Sequence, residues 1–401
     1  MFQPLAGRRV VDLTQVLAGP YCAYQLGILG AEIIKIEPRD VGDWARQGGG
    51  DADLAAAGLG MGFLAQNAGK RSVALDLKSP EGLQIALELA ATADVFLENF
   101  RPGTAERLGL GLEAVRARNT SIVYASLSAF GQDGPFGARP AYDHVVQAVS
   151  GIMQLTGDPE TLPNKVGAPY VDYATGMNGA FAVLAALMER DRTGESQRVD
   201  VAMLDSALLL MASHMTKTAT SGVAPRAAGN AAFSGAAASG VFETSAGVLA
   251  LAANNERQFK RLAAAIERPD ILDDPRFADP AARNANAAAF HELLAGVFRN
   301  ASADAWEARL AAADVPAARV RDFGETMALD QVAARGLMAD YDLPGLDRAM
   351  AAPTLGFKAN GAVVSADGPP PRLGADTAAV LAELGRTDAD IARLRADGVI
   401  G

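Results

Sequence analysis

Short apolar runs alternate with segments of helical period along the first half of the chain. Arg9-Val10-Val11-Asp12-Leu13 is a β-type run, Ala18-Gly19-Pro20 opens a helical stretch to about Gly30, and Ala31 to Glu37 is a second apolar run close behind. This spacing predicts a βαβ unit with parallel strands. Further strands are expected at Ser72–Leu77, Ala93–Asn99, Thr120–Ser128 and Gln197–Met203. Helices are expected between them, one opening at Ser79-Pro80 with Ser79 as its cap. Strands and helices alternating at this pace predict an α/β fold with a doubly wound parallel sheet, whose ligands bind beyond the carboxyl ends of the strands.

After about residue 210 the pattern changes. An Ala/Gly/Ser-rich stretch reads as a linker. Gly240 to Ala252 reads as a β-hairpin, followed by helical patterns at 256–267, 281–300 and 302–313. The expected organisation is a large domain over 1–210, completed by 335–401, and a smaller α+β domain over 231–320. Linkers at 211–230 and 321–334 join them. The Gly/Ala-rich segment 47–63 has no clear period and reads as a mobile loop.

One helix stands out. Tyr173 to Arg190 has almost no polar face, which predicts burial on most sides, and Gly167 and Pro169 break regular structure just before it. Asp172 falls at its start. A carboxylate there can accept backbone N–H groups and feels the positive end of the helix dipole, which would hold it ionised at neutral pH. It is either an N-cap or a fixed, partly desolvated nucleophile. The glycines of the first turns, and the Gly131 to Gly137 segment upstream, would leave room for a ligand to approach the backbone.

Arg39, Lys78, Asn99, Arg101 and Arg107 all fall just after strand ends or at the following helix starts. Taken singly each is a solvated surface group, but their shared position argues for a phosphate-bearing ligand. No Gly-x-Gly-x-x-Gly follows the first strand and no P-loop occurs, which counts against a nucleotide-dependent dehydrogenase and against ATP. The net charge of −11 over 401 residues argues against nucleic acid as a partner. The single cysteine, Cys22, excludes an intramolecular disulfide and a cysteine-based metal site, and no metal is expected. No apolar run approaches the ~20 residues of a membrane helix. With no signal-peptide pattern at the start, a cytoplasmic protein without a membrane partner is expected. His214 and His291 lie in helical patterns without a partner motif and read as structural, and His144, two positions after Tyr142 and so on a different face of any helix there, reads as a helix-surface or core-edge histidine.

Several stretches, in this order, resemble the class III CoA-transferase family, which includes formyl-CoA and carnitine CoA-transferases and the 2-methylacyl-CoA racemases. They are Pro4 to Thr14, Ala18-Gly19-Pro20, Leu29 to Glu37, Asn67 to Ser72, Glu98 to Gly103, Glu106 to Leu110, Arg139 to Asp143 and the Asp172 segment. The resemblance implies a Rossmann-like large domain, a small domain and an interlocked homodimer. It makes Asp172 the catalytic aspartate. It implies CoA contacts at Val16, Leu17, Ala18, Arg39, Leu75, Asp76, Leu77, Lys78, Asn99, Phe100, Arg101, Arg107, Tyr142 and Asp143.

The implied activity moves CoA from an acyl-CoA to a carboxylic acid through a covalent aspartyl intermediate. It needs no tightly bound cofactor, with CoA itself as substrate. The alternative within the family is a racemase or epimerase, which wants a base on each face of the α-carbon. Racemase-like members carry His-Asp where Tyr142-Asp143 stands, and tyrosine near its usual pKa is a poor base. Two stretches depart from the transferase pattern: the expected glycine-rich active-site loop is Ala/Ser-rich at Phe233 to Gly240, and the usual Leu-Gly-Glu-His-Thr reads Leu373-Gly374-Ala375-Asp376-Thr377.

Overall fold

A computed structural model describes residues 2–343 and 345–401. The chain divides into two compact units. The first comprises 1–152, 165–224 and 330–401, and the second 153–164 and 225–329.

The first unit is built on six parallel strands: β1 (Arg9–Asp12), β2 (Glu32–Pro38), β3 (Arg71–Leu75), β4 (Val95–Glu98), β5 (Val123–Ser128) and β6 (Gln197–Ala202). Their order is β3-β2-β1-β4-β5-β6, so this unit has the expected mixed α/β fold on a doubly wound sheet. The direction of winding reverses between β1 and β4, which pair through Val10–Val95, Val11–Phe96 and Asp12–Leu97. Crevices at such switch points, beyond the strand carboxyl ends, are where open α/β sheets take their ligands.

Side chains leave the sheet alternately. Val10, Ile33, Val95, Val123 and Val201 pack on one face against helix α1 (Ala18–Ile28) and the long helix α4 (Tyr170–Thr193). Val11, Ile34, Val73, Phe96 and Tyr124 pack on the other face against helix α2 (Pro80–Ala91) and the C-terminal helices. Ser79 caps α2 through Gly82 N–H at 3.0 Å, with Pro80 in the first turn as its sequence predicts.

Helix α4 has 24 residues and is apolar enough to cross a membrane by length and composition. The helix is longer than the expected 173–190, because it takes in residues 170–172 at its start and 191–193 at its end. Here one face of it packs into the core while Met177, Phe181 and Met188 on another are exposed, so it is not buried on most sides as its composition predicts. Val171, Ala180, Val183 and Leu187 are buried, and the glycines of its first turns fit it to α1. A Cβ on Gly176 would stand 2.7 Å from Ala18 O, and one on Gly179 would stand 3.1 Å from Cys22 Sγ. These two glycines make room for a neighbouring helix, not for a ligand.

The segment 47–63 is also ordered, contrary to its reading as a loop. It forms helices Ala52–Ala56 and Met61–Leu64. Asp51 caps the first through Leu54 N–H at 3.0 Å, and Leu54, Leu59, Phe63 and Leu64 are buried. Both helices are too short for a period to show. The expected linker is partly helical too, over Ala212–Ser221.

In the second unit β7 (Ser239–Glu243) and β8 (Val248–Ala252) form the antiparallel hairpin, extended by β9 (Ala317–Arg319). The pattern at 281–300 is two helices, Pro280–Ala285 and Ala287–Phe298, broken at Asn286. Phe242, Phe259, Phe290, Phe298 and Trp306 centre this unit's core.

Candidate active site

The loops that leave β1 and β4 meet at the switch point. Asn99, the residue after β4, accepts Gln15 N–H at 2.9 Å and donates to Gln15 O at 2.8 Å. This reciprocal pair fastens the two loops, so the Asn99 amide is committed to the scaffold of the crevice. Around it lie two cavities that share Gln15 and Phe100 in their walls.

The first cavity has a volume of about 520 Å³. It brings together Val16, Leu17, Ala18, Asn99, Phe100, Arg101, Tyr142 and Asp172 from the residues singled out in the sequence. The second, of about 420 Å³, is lined by Arg39, Leu75, Asp76, Leu77, Lys78 and Phe100. Arg39 is already engaged there, with Nε and Nη2 on the Asp40 carboxylate at 2.8 and 2.9 Å and Nη1 on Gly398 O. Asp76 turns the chain toward α2 by accepting Lys78 N–H at 3.0 Å. Two of the expected residues reach neither wall. Arg107 is exposed and donates to Thr104 Oγ1 at 2.7 Å. Asp143 is buried at the base of α4.

The position of Asp143 changes the reading of Asp172. Pro169 stands at the N-terminus of α4 and no side chain of its own caps the helix, so the first N–H groups need an acceptor. Asp143, the first residue of helix α3 (Asp143–Ser150), supplies it. Its Oδ2 accepts Val171 N–H at 2.8 Å and Asp172 N–H at 3.2 Å. Its Oδ1 accepts Gln147 Nε2 at 2.6 Å, and Gln147 Oε1 accepts Val166 N–H at 2.8 Å.

Asp172 is therefore not the cap. Among the described residues its carboxylate has no ion-pair or hydrogen-bond partner, and it opens into the first cavity. Burial pushes its carboxyl up to about 7, and the nearby charge of Asp143 adds to the push. The sequence reading had the helix start holding this group ionised. The observed cause runs the other way, because desolvation outweighs a dipole whose N–H groups are spent on Asp143.

Facing Asp172 in the same cavity is the start of α1. No side chain caps it, and Pro20 in its first turn carries no N–H. Leu17 and Ala18, which line the cavity, offer the first-turn N–H groups. The turn before them is strained. Val16 has φ of +73°, a left-handed conformation that costs a residue other than glycine about 1–3 kcal/mol.

Beneath this loop lies a set of buried charges that nothing in the sequence had marked: Asp12, Glu37 and Asp43 with Lys35, Arg46 and Lys70. Lys70 Nζ is 2.9 Å from Asp12 Oδ2, Lys35 Nζ is 3.0 Å from Asp43 Oδ2, and Arg46 Nη2 is 2.7 Å from Glu37 Oε1. Burial works against ionising Asp12, but Lys70 and Lys35 more than offset it and hold its carboxyl below the usual range. Burial pulls Lys70 down to about 8. A buried charge is tolerated only when so paired. Glu98, which accepts Phe100 N–H at 2.8 Å, has no paired cation among the described residues, and burial raises it to about 7.

The sequence reading also missed Arg139, His144 and Met203 in the first cavity. It had placed His144 on a different face from Tyr142. Tyr142 is the residue before α3, with extended backbone at φ −122°, so helical spacing does not relate the two. Arg139 lies over the Phe136 ring, 3.6 Å from its centre. Among the described residues no group of His, Cys, Asp and Glu is arranged to hold a metal.

The family model described as CoA-transferase family III matches residues 5–377. The chain belongs to CoA-transferase family III. Succinate–glutarate CoA-transferase of Agrobacterium fabrum is 35% identical over 397 residues, covering 95% of this chain and 96% of its own. Acetyl-CoA:oxalate CoA-transferase of Acetobacter aceti is 37% identical over 344 residues, covering 84% and 85%. The crystal structure of a CaiB/BaiF family protein from Brucella suis superposes with a TM-score of 0.84 at 34% identity, over 96% of this chain and all of that one. In this family III member, then, the crevice at the β1–β4 switch point belongs to an enzyme of CoA transfer.

Proposed function

We propose that this CoA-transferase works through a covalent intermediate on Asp172, exchanging CoA between an acyl-CoA and a free carboxylic acid. The observation that carries the reading is the unpartnered Asp172 carboxylate in a cavity it shares with the open N-terminus of α1.

An Asp172 oxygen attacks the thioester carbonyl carbon of the donor. The C–S bond breaks, leaving an acyl-aspartyl anhydride and CoA thiolate. The thiolate attacks the aspartyl carbonyl of the anhydride, the donor acid leaves as its carboxylate, and an aspartyl-CoA thioester remains. The acceptor carboxylate attacks that thioester, giving a second anhydride and thiolate. Thiolate attack on its acyl carbon releases the new acyl-CoA and restores Asp172. Splitting the exchange in this way replaces one hard step with easier ones.

Each tetrahedral intermediate carries an oxyanion, for which the Leu17 and Ala18 N–H groups and the α1 dipole are suited. A carboxyl titrating near 7 is a stronger nucleophile than an ordinary one and is still substantially ionised at neutral pH. The second cavity, with Arg39 and Lys78 and with Gln15 and Phe100 as walls shared with the first, suits the phosphate-bearing part of CoA. The names of relatives such as the succinate–glutarate and oxalate enzymes favour dicarboxylic acids as the exchanged pair. Incubation with succinyl-CoA and a panel of mono- and dicarboxylic acids, with new thioesters read by mass, tests this. Failure of every acid to yield a thioester would remove the reading.

We further propose the interlocked homodimer. Met177, Phe181 and Met188 share one face of α4 and are 54%, 71% and 75% exposed. An apolar stripe of this kind on the helix that carries Asp172 suits burial against a second chain.

One observation favours a second reading. His144 joins Asp172 in the cavity wall, and a basic pair across an α-carbon is what a racemase needs. Tyr142 in place of the racemase histidine weighs against it.

A further inference from the structure

Val16 is β-branched and sits in the left-handed region, where such a residue persists only if its surroundings over-determine it. Two side chains hold it: Gln66 Nε2 donates to Val16 O, and Asp43, from a turn well downstream, takes the N–H side. Its Oδ1 accepts Val16 N–H and Ala45 N–H, each at 3.0 Å. Lys35 holds Asp43 from the other side, with Nζ 3.0 Å from Oδ2, and donates to Thr14 O at 2.5 Å. Glu37 Oε2 accepts Asp43 N–H at 2.9 Å.

The far end of the same loop is fixed in the same manner. Asp12 Oδ1 accepts Thr14 N–H at 2.9 Å, and Lys70 Nζ donates to Asp12 Oδ2 and to Pro20 O, both at 2.9 Å. All of these charged side chains are buried, and none of them lines either cavity. They meet the active-site loop at backbone atoms of residues 14–20, with the Thr14 hydroxyl also donating to Asp12 Oδ1. Apolar side chains of similar volume would fill this space without the cost of desolvating ions, but could not hold N–H and carbonyl groups in a strained turn.

We propose that Asp43 is a positioning residue for CoA transfer. By tethering Val16 in its left-handed turn it aims the Leu17 and Ala18 N–H groups at the site where the oxyanion forms. The kinetic part of this inference rests on the transferase reading; the tether itself does not.

The test is a double-mutant cycle of Asp43→Ala and Val16→Gly, read as kcat, CoA affinity by calorimetry and melting temperature. Without its tether, valine relaxes out of the left-handed region and the donors move. Asp43→Ala is expected to lower kcat at least tenfold with CoA affinity changed less than threefold. Glycine occupies the turn without strain, so in the Val16→Gly background the same substitution costs at least fivefold less. In melting, Val16→Gly stabilises the protein that keeps Asp43 more than it stabilises the Asp43→Ala variant, because only the former holds strain to relieve.

Equal kcat losses in the two backgrounds, or a loss confined to CoA affinity, would overturn the proposal. Should Asp43→Ala not fold, Asp43→Ser also removes the acceptor, being too short to reach Val16, and is read in the same two backgrounds. If the wild-type protein transfers no CoA, the transferase reading fails. The melting comparison then decides the tether, and equal melting shifts in both backgrounds contradict it.

Discussion

Asp143 Oδ2 accepts the backbone N–H of Asp172 at 3.2 Å. The capping carboxylate and the candidate nucleophile are thus separate groups, 29 residues apart in sequence. One satisfies the start of α4, and the other is left free in the cavity with its carboxyl raised to about 7.

A pH–rate prediction follows from this pair. Burial is the larger cause of the raised Asp172 carboxyl and the charge of Asp143 the smaller. Asp143→Asn keeps an oxygen for the Val171 and Asp172 N–H groups and removes the charge. The acid limb of kcat/KM should titrate near 7 in the wild type and move to lower pH in the variant. An unchanged midpoint would leave Asp143 as a cap without electrostatic effect on the reaction.

Stability should depend on pH through the same group. Between the unfolded value near 4 and the folded value near 7, the native state holds a proton that the unfolded chain has lost. The Asp172 contribution is therefore largest below about pH 4, declines as pH rises, and ends as a net cost above 7. Asp172→Asn should be more stable than wild type at pH 8 by on the order of 1–3 kcal/mol, with the difference vanishing toward pH 4. Denaturant melts at the two pH values measure it. A loss of stability at pH 8 would mean that the helix start favours the ionised Asp172 carboxylate, as its sequence position alone suggests.

CoA affinity separates the basic residues. Lys78 lines the second cavity, and Lys78→Ala should weaken CoA by about 1–3 kcal/mol. Arg107 lines neither cavity, so Arg107→Ala should weaken it several-fold less. Calorimetric titration giving the reverse order would place the phosphates elsewhere.

Reaction type is tested at the α-carbon. With Tyr142 where a racemase keeps histidine, a 2-methylacyl-CoA should gain no deuterium from heavy water. Uptake at the rate of turnover, lost in His144→Gln, would decide for proton exchange instead.

The sheet was legible in the sequence because its strands are apolar runs at regular spacing, and so was the crevice, because it lies after strand ends. The buried charges under the β1 loop were not. Asp12, Lys35 and Glu37 sit inside apolar strands, and their partners Lys70, Asp43 and Arg46 come from elsewhere in the chain. Only the folded chain brings opposite charges together. Asp172 does lie at a helix start, as its sequence position predicts, but with the opposite electrostatics. The rule that a carboxylate at a helix start is a cap is a local one, and Asp143 takes that role from outside the helix. His144 was set aside for a similar reason, since helical spacing was applied to Tyr142, which is not in the helix.

The most direct test of the account is to incubate the wild-type protein with acyl-CoA, trap it with hydroxylamine or borohydride, and map the modified peptide by mass. The account predicts modification at Asp172 alone, formed as fast as transfer, and absent from a folded Asp172→Asn protein that no longer transfers CoA. Modification at another residue, or normal turnover by the Asn variant, would contradict it.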